Sequence, residues 1–141
     1  KSFYCKALLL IYLTLSGFLV LNAQIYHGKE ADNLIAGTSI VKIDRNSQMP
    51  DYFRFRIGEE IPFEKFPNWL RNQINLQKEL TFELLKTEVD QWNIVHYRYQ
   101  QYFNNIPLEW THFFVHVKNG MVRSANGEIY LSIFTSLQET R

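Results

Sequence analysis

Cysteine is almost absent from this sequence. Its one cysteine, Cys5, precedes a long apolar run near the amino terminus. Everything after that run therefore lacks both a disulfide and a cysteine nucleophile. This excludes thiolate catalysis and a fold held together by disulfides from the greater part of the chain.

Catalytic motifs are missing as well. None of the four histidines is followed by Glu, as the His-Glu-x-x-His motif of zinc proteases requires. There is no glycine-rich phosphate loop and no Gly-x-Ser-x-Gly motif. The 15 basic and 14 acidic residues give a net charge of only +1, which does not provide the basic face that a nucleic-acid partner requires. We therefore expect no catalysis by these residues, no cofactor in this chain and no nucleic acid.

The longest apolar run, from Ala7 to Leu21, follows two lysines and ends just before the small residue Ala23. This pattern is typical of a secretory signal peptide cut between Ala23 and Gln24. The run is shorter than the roughly 20 residues that a spanning helix needs, although an uncleaved anchor is the alternative. We predict a secreted product that meets the membrane only transiently, through this signal peptide.

Residues 24–60 are predicted to form the lead-in of the pro-region. Residues 28–32 are polar and favour a short helix or a loop. The β-branched residues of 38–43 and the alternating aromatic residues of 52–57 favour two short strands.

A helix is predicted within residues 62–76. Its apolar residues recur at helical spacing and comprise Phe66, Trp69, Leu70 and Ile74. Pro67 would break a helix interior, so we expect the helix to begin near it. The apolar pattern of residues 80–90 fits either a strand or a helix.

Residues 94–130 are dense in aromatic and β-branched residues and contain three turn signals. These are Asn104-Asn105, Asn119-Gly120 and Asn126-Gly127. Asparagine and glycine tolerate the positive φ angles of tight hairpin turns. The pattern predicts an antiparallel meander with strands at about 94–103, 108–118, 121–125 and 128–134.

Side-chain alternation divides the predicted strands into two faces. It places His96, Arg98 and Gln100 on one face, opposite Tyr97 and Tyr99. Gln101 falls on the apolar side, where it lies near a strand end or hydrogen-bonds a partner. Both faces are partly aromatic, so we expect one to pack on the helix and the other to be partly covered by something beyond this chain.

Three histidines share the polar side of the meander. His112 and His116 lie four residues apart in one predicted strand, with His96 on its neighbour. Three imidazoles on one sheet face suit zinc. No Cys, Asp or Glu stands at a matching position, so we favour surface or interface histidines and expect no metal ligand here.

Several separated elements of the meander keep a recognisable order. They are His96-Tyr97-Arg98-Tyr99-Gln100-Gln101, Ile106-Pro107-Leu108, Val115-His116 and Asn119-Gly120. Over about residues 80–130 this order resembles the fungalysin/thermolysin propeptide motif, the first module in the pro-region of secreted zinc metalloproteases. The chain departs from the family at Asn105, where glycine is usual, and at Trp110, where a small residue is usual.

The resemblance implies an α+β fold, in which a curved antiparallel sheet packs against one main helix after the N-terminal signal peptide. It also favours a strand for residues 80–90. The predicted segments are a signal peptide (1–23), a lead-in (24–60), a propeptide-like domain (61–134) and a linker to a downstream region (135–141).

The resemblance further implies a pro-region that acts as intramolecular chaperone and inhibitor of its own downstream protease domain. The metalloendopeptidase activity, its zinc, and calcium as a second candidate ion, would belong to that domain. The motif or interface candidates are His96, Arg98, Tyr99, Gln100, Gln101, Pro107, His116 and Gly120. For Arg98, cross-strand pairing with Glu109 or Glu128 is the alternative. A free-standing secreted binding or protease-inhibitor module is the alternative function.

Overall fold

The fold is built on one antiparallel sheet. The computed structural model describes residues 24–44 and 49–130. Within them the strands are β1 (Gln24–His27), β2 (Thr38–Ile43), β3 (Pro50–Phe55), β4 (Ile61–Pro62), β5 (Leu80–Val89), β6 (Val95–Phe103), β7 (Ile106–Lys118) and β8 (Met121–Gly127). Their order is β1-β2-β3-β8-β7-β6-β5, and β4 also pairs with β8. The predicted signal peptide and the predicted linker lie outside the described residues.

Two of the three predicted turns are confirmed. Asn104 and Asn105 have φ of 47° and 65° between β6 and β7, and Asn119 and Gly120 have φ of 54° and 76° between β7 and β8. These left-handed conformations match the twist of a two-residue hairpin turn. The meander therefore closes where the asparagines indicate.

The third predicted turn is wrong. β8 runs through Asn126 and Gly127, which pair with Phe114 and Phe113 of β7. Gly127 has φ of 126°, and a Cβ there would overlap the backbone of His112. The glycine thus serves a close backbone approach instead of a turn. No strand begins at residue 128, and residues 131–134 lie outside the described part.

The strand predicted at 52–57 is shifted. β3 spans Pro50–Phe55 and buries Phe53 and Phe55, whereas Ile57 is 91% exposed. The strand ends because Gly58 adopts φ of 90° in a turn. The strands predicted at 38–43 and 80–90 are confirmed as β2 and β5.

Within residues 24–44 and 49–130, two short helices lie on the same side of the sheet, where one main helix was predicted. α1 (Gly28–Leu34) buries Ala31. α2 (Phe66–Gln73) has Pro67 in its first turn, as predicted, and buries Phe66 and Leu70. A single 3-10 turn, Phe63–Lys65, leads into α2.

The core lies between these helices and one face of the sheet. Phe66 packs near Phe53 of β3, with ring centroids 6.3 Å apart, and Phe66 and Leu70 of α2 line a small cavity together with Phe113 and Val115 of β7. β3 lies in the predicted lead-in and β4 in the predicted propeptide-like domain, and both pair with β8. One sheet therefore spans the boundary that was predicted at residue 60. In the described part of the chain, no helix is long and apolar enough to cross a membrane.

Candidate functional site

The opposite side of β6 and β7 carries polar and aromatic side chains. The register pairs His96 with His116, Arg98 with Phe114, and Gln100 with His112. Paired residues of an antiparallel ladder project to the same side. We call these six residues the polar face.

Two of its histidines lie in direct contact. Nδ1 of His96 is 2.6 Å from Nδ1 of His116. Nε2 of His96 lies 3.1 Å from Oδ2 of Asp90, and Nε2 of His116 lies 2.6 Å from Oδ1 of Asn126. The four side chains form one continuous hydrogen-bonded row at the open end of the β6–β7 hairpin, away from its turn at Asn104 and Asn105.

Asp90 was not expected on this face. It lies in the turn between β5 and β6, where its Oδ1 accepts hydrogen bonds from the backbone N–H groups of Trp92 and Ile94, each at 2.9 Å. Strand alternation could not place it, because a turn residue can fold back over the neighbouring strand. An aspartate at the start of a four-residue turn was the available signal.

These contacts set the charge of Asp90. The hydrogen bond from the Ile94 N–H holds the pKa of the carboxyl below its ordinary value of 3.8, and the hydrogen bond from His96 acts in the same direction, against partial desolvation. The folded chain therefore prefers ionised Asp90, and this preference stabilises it at any pH above 3.8. Acid removes that stabilisation as the pH falls through the lowered pKa.

We predict that Asp90→Asn lowers the unfolding free energy near pH 7 and that the difference from the wild type shrinks as the pH falls through the lowered pKa of Asp90. The asparagine keeps an acceptor for the Trp92 and Ile94 N–H groups but loses the charge that faces His96. Urea unfolding followed by circular dichroism at several pH values measures the difference. Glu109→Gln, at an exposed position, is the matched control and should keep the wild-type profile. A constant difference across the pH range would contradict the prediction.

Arg98 and His112 form the other half of the polar face. The Nη2 of Arg98 lies 3.0 Å from Nε2 of His112, and its guanidinium carbon lies 5.8 Å from the centre of the Phe114 ring, within the range of a cation–π contact. The predicted pairing of Arg98 with Glu109 or Glu128 is wrong. Glu109 is exposed beside an irregularity in β7, and Glu128 joins β7 through its backbone N–H.

The three histidines are therefore divided between two contacts. His96 and His116 meet each other, whereas His112 meets Arg98. Within residues 24–44 and 49–130, no group of three or more His, Cys, Asp or Glu residues is placed to hold a metal ion.

Gln100 supports a bulge in β7. Its side-chain amide donates to the carbonyl of Leu108 and, at 2.9 Å, to the hydroxyl of Thr111. Thr111 is fully buried and donates in turn to the Leu108 carbonyl at 2.7 Å. The bulge gives Trp110 a φ of 66° and leaves its side chain 82% exposed. Alternation along a regular strand could not predict this exposure.

Gln101 has a different role on the apolar side. It is fully buried, and its Nε2 donates to the carbonyl of Tyr130 at 2.7 Å while its Oε1 accepts from the Tyr130 N–H at 2.9 Å. The prediction that it hydrogen-bonds a partner is confirmed. Gln101 ties the segment after β8 to β6.

The other three motif residues are dispersed. Tyr99 lies on the core side near Phe82 and α2, and burial raises the pKa of its hydroxyl. Pro107 is exposed near the start of β7. Gly120 lies in the β7–β8 turn, where its carbonyl accepts a hydrogen bond from the Phe63 N–H at 2.9 Å. The structure thus brings together four of the predicted motif residues on the polar face, His96, Arg98, Gln100 and His116.

Comparison with known families finds a match within this strand ladder. Residues 81–129 match the family model described as the Fungalysin/Thermolysin Propeptide Motif. The match begins in β5 and ends just beyond β8. No curated protein and no solved structure matches the chain significantly. The resemblance found in the sequence is confirmed: over residues 81–129 the chain carries the Fungalysin/Thermolysin Propeptide Motif.

Proposed function

We propose that this chain is the N-terminal pro-region of a secreted zinc metalloprotease and acts as chaperone and inhibitor of a downstream catalytic domain. The observation that carries the proposal is the match of strands β5 to β8 to a propeptide motif. A pro-segment that binds only the native protease domain stabilises that domain by mass action. In this proposal the zinc, and calcium as a second candidate, belongs to the downstream domain.

The exposed end of the β6–β7 hairpin is the surface best suited to contact that domain. Trp110 is 82% exposed and Ile106 is 64% exposed. Exposed tryptophans are enriched among the residues that dominate binding energy. The positive φ of Trp110 is strained for a large residue, and strain of this kind is found where function maintains it. We place the centre of the docking surface at Trp110.

The decisive experiment adds the full chain to a thermolysin-type protease freed of its own pro-region. We expect the chain to inhibit peptide hydrolysis and to increase the activity recovered after the protease is refolded from urea. We predict that Trp110→Ala raises the inhibition constant roughly 30-fold, the equivalent of a hot-spot residue worth about 2 kcal/mol. Steady-state inhibition with a small peptide substrate measures this change.

Trp92→Ala is the matched control. Trp92 is also exposed, at 64%, but it lies in the turn at the other end of β6. This variant should inhibit like the wild type. If Trp110→Ala also inhibits like the wild type, the docking surface lies elsewhere while the function stands. If the wild type inhibits but does not assist refolding, a stand-alone inhibitor module is the better description. If it does neither, the pro-region proposal is wrong.

Secretion is part of the same proposal. Expression of the full-length gene in an exporting host, followed by amino-terminal sequencing of the exported protein, tests it directly. We expect the exported protein to begin at Gln24. A product that retains residues 1–23 would support the uncleaved anchor instead.

A further inference from the structure

The contact between His96 and His116 imposes a strict condition on protons. Each ring uses its Nε2 for an outer partner, the carboxylate of Asp90 for His96 and the amide oxygen of Asn126 for His116. Both partners are acceptors, so both Nε2 atoms must carry a hydrogen. The two Nδ1 atoms then face each other at 2.6 Å, and a hydrogen bond between them needs one hydrogen, neither none nor two.

The contact is therefore satisfied by three protons on four ring nitrogens. One ring is then a cation and the other is neutral. The adjacent carboxylate of Asp90 favours the cation on His96, so His96 donates through Nδ1–H to the bare Nδ1 of His116. A fourth proton would set two N–H groups against each other. Loss of the third would leave two lone pairs in contact.

We propose that the His96–His116 contact is a proton-operated latch between β6 and β7, closed by three protons on the two rings and opened by a fourth. The latch joins the two strands at the end where the Asp90 turn enters β6. The latch is inferred from the distances between these side chains. It is independent of the proposed pro-region function.

The charges around the latch favour this assignment. Asp90 lies beside His96, and Glu88 is opposite it in the β5–β6 register, where Glu88 also forms an ion pair with Lys86 of β5 at 2.7 Å. Arg98 on β6, Lys118 on β7 and, across β8, Arg54 on β3 are the nearby cations by register and alternation. The neutral ring of His116 lies on the side away from the carboxylates.

Burial is the main reason why the pKa of His116 lies below its ordinary value of 6.5, and the positive charge of His96 lowers it further. The Asn126 hydrogen bond and Asp90 act in the opposite direction. A lowered pKa means that the unfolded chain takes up this proton more readily than the folded chain. The part of the stability that depends on a neutral His116 is complete above pH 6.5 and is lost as the pH falls through the lowered pKa.

Two measurements on the full chain test the latch. The first is nitrogen-15 NMR of the histidine rings at pH 7.5, which should show a bare Nδ1 and a protonated Nε2 on His116. The second is urea unfolding from pH 7.5 to pH 5 for the wild type and for His116→Gln. The wild-type folding constant should fall on acidification, with a limiting slope of about tenfold per pH unit for one proton, and His116→Gln should lack this component.

His112→Gln is the matched control, because His112 lies on the same strand and face but contacts Arg98. It should leave the His116 ring signals unchanged. Should His116→Gln fail to fold, His96→Gln serves instead, and its loss of a positive neighbour should raise the pH at which His116 titrates. A protonated Nδ1 on His116 at pH 7.5, or a His116→Gln variant with the full acid loss of the wild type, would overturn the proposal.

Discussion

Replacing Gly127 by alanine is expected to lower the unfolding free energy by on the order of 3 kcal/mol. The added Cβ would overlap the carbonyl oxygen of His112 and lie 2.9 Å from the Cα of Phe113. Both atoms belong to the backbone of β7, which cannot move aside as a flexible side chain can. The φ of 126° is also strained for any residue with a side chain. β8 must therefore shift or separate from β7.

Gly120→Ala provides the matched comparison. Gly120 also has a positive φ, of 76°, but a Cβ there would meet no atom within 4 Å. We expect this variant to lower the unfolding free energy by only about 1 kcal/mol, which is the cost of the positive φ alone. Urea unfolding followed by tryptophan fluorescence measures both. Equal losses would show that the close approach to His112 does not determine the effect at Gly127.

Replacing Gln101 by methionine is expected to cost about 2–3 kcal/mol. The side chain keeps its length and stays in the core, but both hydrogen bonds to the backbone of Tyr130 are lost. The N–H and the carbonyl of Tyr130 then lack their partner on β6. The loss of stability should be concentrated in residues 128–130, because the hydrogen bonds that hold this segment beside the sheet are missing.

Hydrogen exchange resolved by residue tests this result together with urea unfolding. The Tyr130 amide should lose its protection in Gln101→Met, while the amides of β6 keep theirs until global unfolding. Gln73→Met, on an exposed position of α2, is the control and should change stability by less than about 0.5 kcal/mol. An unchanged Tyr130 amide would show that other contacts hold this segment.

Features of the fold that adjacent residues determine could be predicted from the sequence, whereas those that depend on a distant strand could not. The turns at Asn104-Asn105 and Asn119-Gly120 follow from two adjacent residues that adopt positive φ. Asn126-Gly127 is the same kind of dipeptide, yet it continues a strand, because the backbone of β7 lies against Gly127. That neighbour is distant in sequence, so no reading of residues 120–130 alone could distinguish the two outcomes.

The same limit applies to the polar face. Alternation placed His96, Arg98 and His116 on one side, and the register confirms it. It could not supply Asp90, which reaches the face from a turn, and it gave Arg98 the wrong partner. It treated Trp110 as an ordinary strand residue, although the bulge that exposes it depends on hydrogen bonds made by Gln100.

The position of β8 between β3 and β7 has a consequence for the order of folding. Phe53 pairs with Ala125, so the sheet joins residues that lie 72 positions apart in the chain. Closing so long a loop is entropically costly and slow. A chain synthesised from its amino end can form the β2–β3 hairpin early. The other edge of β3 can pair only after β8 has been synthesised. The sheet therefore cannot be completed before residues 121–127, the last strand of the propeptide motif, are present.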